Sequence, residues 1–74
     1  MTKILVSPDN PKGKKLEVVL DELRSDLLQR SAHILDDRRP DVAVVLRNNV
    51  DIMVLLGQCL EKARESARVL ERLG

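Results

Sequence analysis

Residues 41–73 read DVAVVLRNNVDIMVLLGQCLEKARESARVLERL, and the spacing of their apolar side chains decides the fold. Set on heptads, Val42, Leu46, Asn49, Met53, Leu56, Leu60, Ala63, Ala67 and Leu70 fall on one stripe, in which only Asn49 is polar. That repeat predicts a single long helix with a seam for a partner helix. Val45, Ile52, Cys59 and Leu73 flank the stripe and widen it beyond what one neighbour requires. Between Val50 and Leu56 only Asp51 interrupts the apolar run, so this belt is expected to be deeply buried. At a rise of ~1.5 Å per residue the helix would be roughly 50 Å long. One shorter helix does not cover that length.

Upstream, Leu16, Leu20, Leu23, Leu27 and Ile34 recur at alternating four- and three-residue steps, broken only at Arg30. They predict a first helix over about residues 14–36, widened by Val19 and Leu28. Asp26 and Arg30 are spaced as an i,i+4 pair, which contributes only tenths of a kcal/mol. Asp36, Asp37, Arg38, Arg39 and Pro40 then make a short connection, because proline disfavours helical geometry at the residue before it and suits the first turn of the next helix. Before the first helix, residues 1–13 (MTKILVSPDNPKG) form an arm in which Ile4, Leu5 and Val6 precede the breakers Pro8, Pro11 and Gly13. Three apolar residues leave open whether this patch docks in extended form or adds a strand. Gly74 falls where a helix-capping glycine belongs.

A short connection folds two helices into an antiparallel hairpin. Equal spacing about the turn sets Leu27 near Val50, Leu23 near Val54, and Leu20 near Gly57, where the missing side chain would admit close backbone approach. It also brings Arg30 to the level of Asn49, so the two polar interruptions are candidates for a polar layer that fixes register; an Arg30 folded over the hairpin edge is the alternative. Lys62–Leu73 then overhangs the first helix. Either the arm folds back over Ala63, Ala67, Leu70 and Leu73, or a second chain covers them. The all-α fold expected is therefore an arm (residues 1–13) and a single hairpin domain (residues 14–74) that associates as a homodimeric four-helix bundle. Its core and dimer interface would comprise Val50, Met53, Val54, Leu56, Leu60, Ala63, Ala67 and Leu70. A swapped dimer opened through residues 36–40 is disfavoured by Pro40.

Composition bounds the function. With 74 residues, there is room for one domain, and chains of this size bury only about 60% of their unfolded surface. No Phe, Tyr or Trp is present although 43% of residues are hydrophobic, so the core is aliphatic. Thirteen basic and twelve acidic side chains leave a net charge of +1, which gives no global field for nucleic acid or an anionic membrane. The lone cysteine, Cys59, excludes an intrachain disulfide and reads as a small core residue. Neither an export signal nor ~20 consecutive apolar residues for a membrane span is evident, and a cytoplasmic location is the expectation.

Chemistry-bearing residues are sparse. His33 and Asp37 are spaced to share a helix face, but two ligands per chain make a poor metal site. A histidine outside a dimeric four-helix bundle resembles the layout of histidine-kinase dimerisation domains, yet Ile34 follows His33 where those domains carry an acidic residue. Phosphotransfer is thus the weakest alternative. Lys12, Lys14 and Lys15 flank Gly13 at a helix start, which favours anions, but there is no phosphate-cradling glycine loop and no aromatic platform for bases. Arg64, Arg68 and Arg72 alternate with Glu61, Glu65 and Glu71, with Glu61–Arg64 and Glu65–Arg68 spaced as pairs. No cofactor and no catalytic residue is expected. The reading is a self-associating interaction or scaffolding module, with an unidentified protein partner at the Lys62–Leu73 overhang, and anion or nucleic-acid binding through the lysines as the alternative.

Overall fold

The computed structural model describes residues 3–74. Two helices, α1 (Leu16–His33) and α2 (Pro40–Leu73), pack against each other as an antiparallel hairpin. α2 begins where Arg39 is held extended (φ −66°, ψ 135°) and Pro40 takes the first turn, with Asp41 beside the positive helix end. It runs unbroken to Gly74, whose N–H donates to the Leu70 carbonyl oxygen.

α1 is shorter at both ends than the expected span of residues 14–36. At its start, Lys14 is drawn into the arm: its N–H donates to the Ile4 carbonyl oxygen (3.0 Å), and its own carbonyl oxygen accepts from the Val6 N–H (2.9 Å). At its end, Ile34, Leu35 and Asp37 donate back to the carbonyl oxygens of Ser31, Ala32 and Ile34, the tighter closure of a finishing helix. Asp37 then accepts the Arg39 backbone N–H (3.1 Å) and clasps its guanidinium (2.6 Å), which turns the chain before Pro40.

The arm is a compact double turn. Ser7 and Asn10 exchange backbone hydrogen bonds, Gly13 donates to the Asn10 carbonyl oxygen, and the Asn10 amide donates to the carbonyl oxygens of Lys3 and Leu5. Isolated bridges link Leu5 to Lys14 and Ser7 to Asn10; the patch docks and adds no strand. Gly13 is required by contact, since a Cβ there would lie 2.5 Å from the Leu5 carbonyl carbon. Met1 and Thr2, assigned to the arm on sequence, lie outside the described residues.

The helix register differs from the one set by equal spacing. Asn49 donates its side-chain amide to the Ser31 hydroxyl at 3.1 Å, so Leu27 stands at the level of Met53 rather than Val50. Leu20, Leu27 and Ile34 thereby meet the levels of Leu60, Met53 and Leu46, two heptad rows in step. That match explains the shift: it aligns apolar layers along the whole of α1. Leu16 and Leu23, expected in the seam, are exposed instead. Little is fully enclosed: Leu60 (2% exposed), Ala63 and Ser31.

Gly57 has no backbone close to it. The nearest atom to a Cβ built there is the flexible Arg24 Nη1, at an ordinary 3.4 Å, so the glycine does not serve close helix approach. Gly57→Ala is expected to stabilise the chain by about 0.5–1 kcal/mol through helix propensity. Urea unfolding checks this; a loss of stability would show that Arg24 has nowhere to move.

By length and composition α2 is also apolar enough to cross a membrane, with an 18-residue window that holds at most two charged side chains and is not buried within the chain. Two charges spread over the window leave its mean high even though no uninterrupted run reaches that length.

Candidate self-association surface

The stripe used to predict the fold is consumed inside the chain. Val42, Leu46, Asn49, Met53, Leu56 and Ala67 are half-buried, and Leu60 and Ala63 buried. Of the expected core and dimer interface, Met53, Leu56, Leu60, Ala63 and Ala67 therefore serve the hairpin and its arm. Val50, Val54 and Leu70 lie on the surface. Helix geometry separates the exposed residues of α2 into two sides. One side carries Val50, Val54 and Gly57, marked by Arg24 across from Gly57 and by a shallow depression lined by Val18, Asp21 and Arg64. The other carries Val45, Ile52, Leu55, Cys59, Val69 and Leu73.

This second side repeats on its own heptads. Val45, Ile52, Cys59, Ser66 and Leu73 fall on one row, and Asn48, Leu55, Lys62 and Val69 on the next. Ile52 is 44% and Leu55 57% exposed, and Cys59 is exposed as well. Cys59 was expected in the core; it faces out because the register turns its row a quarter-turn away from α1. Leu23 of α1 (52% exposed) lies on the same side of the hairpin. No protein-family model, curated protein or solved structure matches this chain.

The polar layer involves Asn49 with a different partner from the one expected. Ser31 donates its hydroxyl to the Leu27 carbonyl oxygen (2.8 Å) and accepts from Asn49. Arg30 is one position round the helix, exposed, and paired with Asp26 at 3.3 Å. A small hydroxyl satisfied by its own helix fits a seam that a guanidinium does not.

Charge is partitioned between the helices. Among the described residues, the ion pairs are Lys3–Asp9, Lys14–Glu22, Arg24–Asp21, Arg30–Asp26 and Arg39–Asp37. None involves α2. The expected pairs Glu61–Arg64 and Glu65–Arg68 are not formed, consistent with the near-zero net energy of exposed pairs.

The other candidate residues are not drawn together. His33 is exposed at the last position of α1, and Asp37 belongs to the turn, where Arg39 occupies its carboxylate. Because the helix stops at His33, the two never share a helix face. Among the described residues, no three potential metal ligands cluster. Lys14 is neutralised by Glu22 at 2.8 Å, which leaves Lys12 and Lys15 as the free members of the lysine group. At the open end of the hairpin, a groove of about 690 Å³ is lined by Leu5, Val6, Leu16, Ala63, Ala67 and Leu70. The arm thus folds back over the start of the overhang, while Leu70 and Leu73 remain exposed.

The Arg39 side chain, and then its backbone N–H, hold the Asp37 carboxyl below its ordinary value. With the folded pKa depressed, the contribution of this clasp is present above the unfolded value of about 3.9 and is lost as pH falls through the folded one. Replacing Arg39 with Ala is expected to move the Asp37 midpoint upward toward that unfolded value in an NMR carboxyl titration. An unmoved midpoint would show that Arg39 does not set it.

Proposed function

We propose that this chain is a small self-associating helical module that builds a homodimeric four-helix bundle and acts as an interaction or scaffolding element rather than an enzyme. One observation carries the reading: the surface is too large for the chain. Its accessible area is 6401 Å², whereas a folded monomer of 8.4 kDa has about 4,600 Å². The radius of gyration, 16.0 Å, likewise exceeds the ~11 Å of a compact chain of this length. The excess, about 1,800 Å² per chain, exceeds the ~800 Å² that each partner buries in a standard interface and falls in the range of obligate dimers. A hairpin with a second apolar side is half of a square bundle, and a second copy supplies the missing half. The exposed Leu70 and Leu73 at the end of the overhang suit a further protein partner.

Sedimentation equilibrium at micromolar concentration tests this: a mass near twice 8.4 kDa is expected, and a stable monomer overturns the reading. A second reading, insertion of α2 into a bilayer, is favoured by the length and apolar character of α2. Against it stand Arg47, Asn48, Asn49 and Asp51 within the same stretch, each charge costing roughly 2.5–3.5 kcal/mol at the bilayer centre. Flotation with phosphatidylcholine vesicles separates the two, since the dimer stays at the bottom of the gradient and an inserted helix rises with the lipid.

A further inference from the structure

Resting on the self-association proposed above, we infer that the second copy docks on the Val45, Ile52, Leu55 and Cys59 side with its α2 antiparallel and in full overlap, each α2 covering the other end to end. The charges of α2 carry this assignment. Measured from the midpoint of Pro40–Leu73, Asp51 and Lys62 are equidistant and of opposite sign, and both border the Val45, Ile52, Leu55 and Cys59 side, whereas Arg47 and Arg72 share the row of Val54. A two-fold axis across the middle of α2 therefore sets Asp51 at the level of Lys62 of the other copy. Among the described residues, neither side chain has an ion-pair partner within its own chain.

The parallel arrangement is disfavoured by the same residues. In register, a parallel α2 pair would set Lys62 against Lys62 and Asn48 against Asn48 in the middle of the apolar rows, and like charges opposed across a helix interface are destabilising. The antiparallel pairing instead sets Lys62 beside Ile52 and Asp51 of the other copy, where its stem lies on apolar surface and its ammonium reaches the carboxylate. Ile52 comes within two residues of the level of Cys59, and Leu55 lies next to the axis. On the same side of the hairpin, Leu23 of α1 falls near the axis too, so both helices contribute to the closing face. The remaining side, with Val50 and Val54, stays outside this interface.

Two measurements test the arrangement separately from association itself. The first is crosslinking with a short bismaleimide at micromolar protein. Ile52→Cys, which keeps Cys59, is expected to crosslink in high yield, and Ile52→Cys combined with Cys59→Ser is not. Efficient crosslinking of the chain carrying Ile52→Cys with Cys59→Ser indicates a parallel pair and overturns the inference. The second is charge exchange: Asp51→Lys is expected to weaken the dimer about 10-fold by sedimentation, and adding Lys62→Asp in the same chain to restore it. No rescue overturns the inference. A monomeric wild-type chain instead removes the self-association on which it rests.

Discussion

Leu60→Ala is expected to remove about 3 kcal/mol of stability, a larger loss than any other single truncation within the hairpin. Among the described residues, Leu60 is the only large side chain almost wholly enclosed, at 2% exposure, and it sits where the Leu20 level of α1 meets α2. Deleting a buried leucine side chain costs 2–5 kcal/mol, from lost transfer energy plus the cavity left behind. A domain of this size has about twice that in total, and the corresponding fall in melting temperature is about 15 °C. Circular dichroism in urea and on heating reads both quantities. A loss below about 1 kcal/mol would show that the seam around Leu60 collapses freely. The same truncation at Val54, exposed on the far side, is expected to leave the unfolding curve almost unchanged.

Leu55→Glu is expected to abolish dimerisation at micromolar concentration while leaving the helical signal in place. Symmetry doubles every effect at an isologous interface, since each copy presents the altered residue. Burial of a leucine side chain is worth about 1.5–3 kcal/mol, so two lost copies raise the dissociation constant by roughly two to four orders of magnitude before the buried carboxylates are considered. Light scattering coupled to size exclusion would show the mass halving. A variant that remains dimeric places the interface elsewhere, with the Val50 and Val54 side as the next candidate.

How much of this was legible in the residues differs from element to element. The two helices, the Pro40 break and the capping Gly74 follow from local rules: heptad spacing, the geometry imposed before proline, and glycine at a helix end. The register was not legible, because equal spacing about the turn assumes that the connection adds the same rise to both helices. The Asp37 and Arg39 clasp ends α1 early and breaks that symmetry. Ser31 was passed over for the same reason. A serine one position from Arg30 carries no signal until the register is known, yet it is the residue that Asn49 meets. The candidate surface shows a related limit. Val45, Ile52 and Cys59 were visible as a widening of the stripe, but a stripe that is wide enough for two neighbours does not say which half its own chain will use. The belt from Val50 to Leu56 was expected to be buried as a unit; a helix instead distributes those residues around its circumference, and only Met53 and Leu56 face inward.

The Ser31 and Asn49 hydrogen bond has a consequence for which assemblies this chain can enter. Every apolar layer along the hairpin is built from aliphatic side chains of similar size, so sliding α1 by one heptad would leave hydrophobic contact almost intact while setting Ser31 against Val42 or Leu56. The amide and hydroxyl would then each be stranded in an apolar seam, at a cost of about 1–3 kcal/mol apiece. A molecule that offers so many interchangeable aliphatic faces is exposed to being pulled apart by any helix of comparable greasiness, including another copy of itself. One hydrogen bond that can be satisfied in a single alignment makes its own α1 the preferred occupant of that seam, and so leaves the other side of α2 uncovered.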